Sequence, residues 1–142
     1  MSLSRSELVA HLRRRRYCVV ASTAASGAPQ AAVVGFGVSD ELELVFDTLA
    51  STRKIANLRR DPRIAVVVGV GEDERTVQIE GVADEPTGPD LERLKAVYFG
   101  AFPDGVERLK WPGITYVRVR PRNLRYSDFD APGGPRIEEI AL

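Results

Sequence analysis

Histidine and cysteine are nearly absent from this sequence, and their scarcity excludes several kinds of catalytic site. The 142 residues include one histidine, His11, and one cysteine, Cys18. A catalytic zinc site or a Ser–His–Asp triad needs more than these two side chains. Cys18 lies in an apolar run, which favours a small core residue over a nucleophile, and a single cysteine cannot form an internal disulfide. We therefore expect that any catalysis depends on a cofactor and that the compartment is a reducing cytoplasm.

The sequence also has a net charge of zero and no long apolar segment. Twenty basic and twenty acidic residues cancel, so the overall charge favours neither nucleic acid nor an anionic membrane as a partner. The one basic run, Arg13, Arg14, Arg15 and Arg16, closes a short amphipathic segment and is interpreted as a solvated helix end. No stretch approaches the roughly 20 apolar residues that cross a bilayer, and the first residues lack the pattern of a secretion signal.

The length and the 44% hydrophobic fraction fit one domain, residues 1–142, with a sizeable core. Short apolar runs separated by turns predict an antiparallel barrel rather than a doubly wound sheet. Ser4 and Glu7 have the spacing of a capping box, and His11 falls on the polar side of the helix that follows. Predicted helices cover 5–16 and 51–60, with a third opening at 86–89. Predicted strands cover 17–23, 29–38, 42–48, 64–70, 76–81, 115–120 and 123–126, and 131–142 is a loose tail.

Two details of this pattern bear on packing. Ala65 and Val67 lie between the apolar residues of the fourth strand, which predicts burial on both of its faces. Pro121 is expected to break the pattern into separate sixth and seventh strands, because proline has no N–H group for a sheet.

The most informative segment is a strand end, Phe46-Asp47-Thr48, that turns into the helix start Ser51-Thr52-Arg53-Lys54. Cations at a helix N-terminus are mildly destabilising, because free N–H groups and the macrodipole already make that end positive. A phosphate there would accept hydrogen bonds from the N–H groups, the hydroxyls and both cations. A solvated helix start capped by Ser51 is the alternative, and this segment alone does not decide between them.

Together with the order of the elements, these residues resemble the flavin-binding split-barrel family typified by pyridoxamine 5'-phosphate oxidase. The resemblance covers about residues 5–129 and includes the helix exit Asn57 to Arg63. It is supported by Gly27-x-Pro29-Gln30, by Thr76 to Gly81 and by the ending from Val119 to Phe129. It implies a mainly β (α+β) split barrel of six to seven antiparallel strands with about three flanking helices. It also implies flavin mononucleotide (FMN), bound non-covalently at the interface of a homodimer.

The resemblance carries cofactor-binding roles over to particular residues. Thr52, Arg53 and Lys54, next to Ser51, match the group that holds the 5'-phosphate. Asp47 and Thr48 match the strand end beside the ribityl chain and the flavin edge. The other matching positions are Val33, Val34 and Gly35 along the isoalloxazine ring, Thr76 and Gln78 near the cofactor, and Trp111 in an interface loop.

Departures from the family pattern narrow the expected activity. The second predicted strand, Ala31 to Val38, carries no charge, whereas true pyridoxamine 5'-phosphate oxidases have basic residues there. Arg118, Arg120 and Arg122 alternate with valine and other residues without a histidine, which predicts an exposed strand face rather than a site for a substrate phosphate. We therefore do not expect a true pyridoxamine 5'-phosphate oxidase.

Three functions are consistent with the sequence. The first is an FMN-dependent oxidoreductase that exchanges hydride with an unidentified small substrate. The second is a reductase that uses a deazaflavin coenzyme, whose longer acidic tail needs further cations such as Arg13–Arg16, Arg59 and Arg60. The third is a non-catalytic flavin- or haem-binding protein, with His11 as the only histidine that could bind haem iron. A homodimer is expected in each case, because apolar Val33, Val34, Phe36 and Trp111 need cover.

Overall fold

The computed structural model describes residues 3–69, 71 and 73–142. Val70, at the end of the predicted fourth strand, and Glu72, between the predicted fourth and fifth strands, lie outside the described residues. In chain order the elements are α1 (Arg5–Arg13), β1 (Tyr17–Thr23), β2 (Pro29–Gly35), β3 (Gly37–Val38), β4 (Leu44–Leu49), α2 (Arg53–Arg60), β5 (Arg63–Val68), β6 (Arg75–Asp84), α3 (Gly88–Ala101), a 3₁₀ helix (Pro103–Lys110), β7 (Ile114–Asp128) and β8 (Arg136–Ala141).

All the strands belong to one antiparallel sheet with the order β2-β1-β5-β6-β7-β4-β3, and β8 also pairs with β7. β7 is 15 residues long and has β6 along one side. Its other side pairs first with β4, through 114–119, and then with β8, through 123–128. The sheet therefore divides along β7, which confirms the predicted antiparallel split barrel.

Pro121 does not end a strand, so the predicted break is wrong. The register between β6 and β7 shifts after Glu80, and Gly81 pairs with Pro121. A bulge at this point removes the need for the N–H group that proline lacks. A Cβ atom at Gly81 would lie 2.6 Å from the carbonyl oxygen of Arg120, so the close approach of the two strands requires glycine.

The loose tail predicted for 131–142 is also corrected, because residues 136–141 form β8 along the second half of β7. Side chains of Ile137, Glu139 and Ala141 are exposed and alternate with half-buried neighbours. Ile140 packs against the main core. The signal for this strand is the alternation in Ile137 to Ile140, which the preceding glycines and prolines obscured.

α1 confirms the predicted capping box, since Ser4 accepts a hydrogen bond from the Glu7 backbone and the Glu7 side chain accepts one from the Ser4 backbone. The placement of His11 on the polar side is wrong. His11 is 4% exposed and lies edge-on to the Tyr126 ring, with centroids 6.0 Å apart. It follows Leu8 by three residues, so helical spacing puts it on the buried face. Burial lowers its pKa to about 4.

Two hydrophobic clusters fill the fold. The main one lies inside the barrel and includes Leu8 of α1 and Ile55 and Leu58 of α2. The second lies between α3 and the β4–β7 pair and contains Val45, Leu94, Tyr98, Phe102 and Tyr116. Since α2 is anchored by Ile55 and Leu58 and contacts β1, its first turn is held beside the β1–β2 hairpin.

The outer face of the sheet carries apolar side chains in the single chain. Val33, Val19, Val67 and Gln78 are successive partners across β2, β1, β5 and β6, and all four are exposed. Ala65 is exposed on the same face, so the burial of both faces of β5 predicted from the sequence is not found within one chain. None of the described helices is long and apolar enough to cross a membrane.

Candidate functional site

The start of α2 borders a cleft of about 390 Å³ between the helix and the β1–β2 hairpin. The cleft brings together residues from three segments that are distant in sequence. Its lining is Val20, Ser22, Gln30, Ala31, Ala32, Ser51, Thr52, Arg53 and Lys54. The four residues of the predicted phosphate-binding turn therefore face one space.

The helix begins at Arg53, two residues later than the sequence predicted, and Thr52 is its N-cap residue. The Thr52 side chain does not cap the helix. Its hydroxyl donates instead to the Leu49 carbonyl at 2.9 Å and lies 3.3 Å from the Thr48 hydroxyl. The first backbone N–H groups of a helix have no intrahelical acceptor, so this uncapped turn offers free donors to a ligand in the cleft.

Arg53 and Lys54 have no partner among the described residues, and this distinguishes them from most cations of the protein. Within the described part of the chain, neither side chain makes a hydrogen bond or an ion pair, a state shared among the basic residues by Arg5, Arg122 and Arg16, of which Arg16 lies over the Phe102 ring. Lys54 is half-buried, and burial lowers its pKa. Two adjacent unpaired cations on one cleft favour the binding of an anion.

A buried amide lies behind the cleft, and the sequence did not indicate its role. Asn57 is 5% exposed, and its Nδ2 donates to Ser22 Oγ at 3.1 Å and to Gln30 Oε1 at 2.8 Å. A possible signal was that Asn57 is a polar residue between the buried residues Ile55 and Leu58 of α2. Its partners lie 35 and 27 residues away in sequence, so the contacts themselves had no local signal.

Asp47 and Thr48 lie on opposite faces of β4. Thr48 contacts Thr52 at the cleft, whereas Asp47 faces the second hydrophobic cluster. Asp47 accepts a hydrogen bond from Tyr98 Oη at 2.9 Å and pairs with Arg108 Nε at 2.6 Å. Burial and this carboxylate raise the pKa of Tyr98. Asp47 thus joins β4 to α3 and the 3₁₀ helix.

The other predicted cofactor contacts lie outside the cleft in the single chain. Val33 is 68% exposed on the outer face, Val34 packs against the core, and Gly35 packs against the Phe102 ring. Thr76 and Gln78 lie on β6, which β5 separates from β1. Trp111 is 51% exposed. Phe36, predicted to need cover from a partner, is already buried.

The arginines of β7 that were predicted to form an exposed strand face differ in their surroundings. Arg118 is buried rather than exposed, and Asp84, Asp90 and Glu43 all contact its guanidinium group. This corrects the predicted solvent face of β7, although Arg120 and Arg122 are exposed.

The run from Arg13 to Arg16 is also not simply solvated. Arg13 donates to the Val38 carbonyl, Arg14 contacts His11, Arg15 pairs with Asp73, and Arg16 lies 4.4 Å from the centre of the Phe102 ring. No group of three or more metal-binding side chains occurs among the residues that the structure describes.

Comparisons with known proteins agree with this fold. A family model described as pyridoxamine 5'-phosphate oxidase matches residues 4–127. A pyridoxine/pyridoxamine 5'-phosphate oxidase of Rubrobacter xylanophilus is 33% identical over 93 residues, which are 66% of this chain and 41% of the relative. The chain thus spans less than half the length of that curated relative.

Two solved structures show the same fold. A heme binding protein from Mycobacterium smegmatis has a TM-score of 0.82 and 19% identity, with 99% of this chain and 59% of that chain covered. An FMN binding protein from Nostoc punctiforme, related to pyridoxamine 5'-phosphate oxidase, has a TM-score of 0.69 and 15% identity, with coverage of 99% and 98%. Since the family model spans most of the sequence and the fold agrees with it, this chain belongs to the pyridoxamine 5'-phosphate oxidase family.

Proposed function

We propose that the protein binds FMN with its phosphate in the cleft and acts as an FMN-dependent oxidoreductase on a small molecule. The observation that carries this proposal is the pair of unpaired cations, Arg53 and Lys54, beside the uncapped first turn of α2. A phosphate there would accept charge-assisted hydrogen bonds and would be favoured by the helix dipole. Proteins of this family bind flavin, and a neighbour of the same fold is an FMN binding protein.

FMN would supply hydride exchange, and the chain would bind and orient it. Arg53 and Lys54 would neutralise the phosphate, with Ser51 and the free N–H groups of α2 as further donors. β2 stands at the end of the strand order and pairs with β1 along one side only. Its backbone at Val33 to Gly35 could therefore donate to a ring laid along the free edge.

The test is a titration of the purified protein with FMN and, separately, with haem. We expect quenching of flavin fluorescence that saturates at one FMN per chain, and no haem complex of defined stoichiometry. The reason is that His11 is buried against Tyr126 and does not line the cleft. A haem complex with sharp bands, together with no FMN binding, would contradict the proposal. A deazaflavin coenzyme is the alternative cofactor, although Arg13, Arg59 and Arg60 already have partners.

We do not propose a true pyridoxamine 5'-phosphate oxidase. A phosphorylated substrate needs an anion site apart from the one that holds the cofactor phosphate. In the β7 segment compared with the family's substrate site, Arg118 is committed to three carboxylates. The proposed substrate is a small molecule whose binding does not require the arginines of β7. No nucleic acid or membrane is proposed as a partner.

We further propose a cytoplasmic protein. The support is the single cysteine. Burial raises the pKa of Cys18 to about 12, so this side chain stays a neutral thiol within the core and takes no part in disulfide chemistry.

A homodimer is the assembly that we propose. The exposed row of Val33, Val19 and Val67 crosses three adjacent strands of the outer face, and a second copy would remove this apolar surface from water. Stable interfaces of this kind bury more than about 2,000 Å² in total.

The dimer is tested by the variant Val33→Glu. We expect the unmodified protein to sediment at about twice the chain mass of 15.6 kDa and the variant to sediment as a monomer, because an exposed valine would become a charge in an apolar interface. Glu80→Gln, a change on the same face outside the valine row, serves as the control and should remain dimeric. A monomeric unmodified protein that binds FMN would overturn the dimer.

A further inference from the structure

We propose that Asn57, which does not line the cleft, sets the hydrogen-bond polarity of Ser22 and Gln30 so that both side chains present donors to the cleft. This inference rests on the proposed function, because it explains why the cleft would select a phosphate dianion. Asn57 is then a positioning residue that acts through Gln30 and Ser22.

The amide of Asn57 uses both of its hydrogens inside the protein. One is directed to Ser22 Oγ and the other to Gln30 Oε1. Because the Gln30 oxygen accepts from Asn57, the Gln30 side chain turns its NH₂ group away from Asn57. Gln30 lines the cleft and is half-buried, so this NH₂ group is a donor available to a ligand there.

Ser22 is oriented in the same way. Its hydroxyl accepts the bond from Asn57 and makes no other hydrogen bond among the described residues. The hydroxyl hydrogen is therefore free, and Ser22 is buried at the wall of the cleft. A serine held as an acceptor on one side acts as a donor on the other.

The turn residues complete the set of donors. Arg53 and Lys54 can only donate, and the Ser51 hydroxyl is free among the described contacts. Thr52 contributes less than its position suggests, because its hydroxyl hydrogen already bonds to the Leu49 carbonyl. A group that carries acceptors and no hydrogens matches these donors, and a phosphate monoester dianion is such a group.

This arrangement predicts a specific response to Asn57→Asp. A carboxylate at position 57 accepts hydrogen bonds and cannot donate them. Ser22 and Gln30 would reverse their bonds to donate to it, so the fold keeps both contacts while Gln30 turns its carbonyl oxygen toward the cleft. An acceptor would then face the phosphate.

The test compares FMN with riboflavin, which has the same ring and no phosphate. For Asn57→Asp we expect FMN affinity to fall roughly ten- to hundredfold beyond the loss seen without Gln30, with riboflavin affinity changed little. The same substitution in a Gln30→Met background supplies this reference, because the added charge and the reversal of Ser22 are both present there and no amide can reverse. Equal losses of FMN affinity in the two backgrounds would overturn the proposal, and so would equal losses for the two ligands.

A second measurement uses the unmodified protein and inorganic phosphate, so it requires neither a variant nor FMN. In a titration followed by NMR of the ¹⁵N-labelled side-chain amides, we expect the Gln30 NH₂ signals to shift toward hydrogen-bonded values while the Asn57 signals stay nearly fixed. This result without FMN binding would refute the proposed function and support the polarity of the cleft. Movement of the Asn57 signals with a fixed Gln30 would overturn the polarity.

Discussion

Replacing both cations of the turn, Arg53→Ala with Lys54→Ala, should weaken FMN binding by about two to four powers of ten. Each charge-assisted hydrogen bond contributes roughly 1.5–3 kcal/mol, and the double variant removes at least two of them. Riboflavin affinity should change far less, because its ring and ribityl chain do not reach the phosphate position. Titration of flavin fluorescence with both ligands measures the two effects on the same protein.

The chain offers a matched control for this experiment. Arg5 and Arg122 also lack a side-chain hydrogen bond or ion pair in the described structure, and neither lines the cleft. The variant Arg5→Ala with Arg122→Ala removes the same net charge and should leave FMN affinity within about twofold. If the two double variants lose the same affinity, the effect is one of overall charge, and the phosphate does not bind at α2.

The second large effect concerns stability: Arg118→Met should lower the free energy of unfolding by about 3 kcal/mol. The Arg118 side chain is 6% exposed and contacts Asp84 at 2.7 Å, Asp90 at 3.2 Å and Glu43 at 3.3 Å. Removing one member of a buried ion pair typically costs about 3–5 kcal/mol, because the remaining charges lose their compensation. The lower end applies here, since Asp84 and Asp90 are partly exposed to water. Urea denaturation measures the change.

Arg120→Met is the matched control for this prediction. Arg120 lies two residues along β7, its side chain is 54% exposed, and its nearest approach to Asp84 is 3.7 Å. An exposed pair contributes about 0–1 kcal/mol, so this variant should be close to the unmodified protein. If Arg118→Met lowers the free energy of unfolding as little as Arg120→Met does, the ion pairs of Arg118 do not stabilise the packing of β7 against α3 and the start of β4.

The strands and the helix start could be predicted because their signals are local. An apolar run beside a turn predicted β1, alternation of apolar residues predicted β5 and β6, and the motif with Arg53 and Lys54 predicted the turn that lines the cleft. Continuity of β7 could not be predicted in this way. Pro121 is tolerated because Gly81, forty residues earlier, permits a bulge at that position. The residues around Pro121 alone do not indicate which residue lies opposite on the neighbouring strand.

The contacts that buried polar side chains make with distant residues also could not be predicted from the sequence. The sequence motif placed Asp47 beside the flavin edge. Its ion pair with Arg108 could not be predicted, because the two residues are 61 positions apart. Arg118 alternates with valines as an exposed residue would. Its carboxylate partners come from β6, from α3 and from Glu43 just before β4, which are distant from it in sequence. His11 was misplaced for a local reason, since its polarity was given more weight than its spacing from Leu8.

Among the residues that the structure describes, the cleft and the Arg118 network share no residue and no hydrogen-bond partner. Substitutions in groups that are separate in this way usually have additive effects. The ligand preference of the barrel can therefore diverge without weakening the contacts that hold the barrel together. A protein engineer could vary positions 22, 30 and 57 to change which ligand fits the cleft, and could reinforce the carboxylates around Arg118 independently to compensate for any stability lost in doing so.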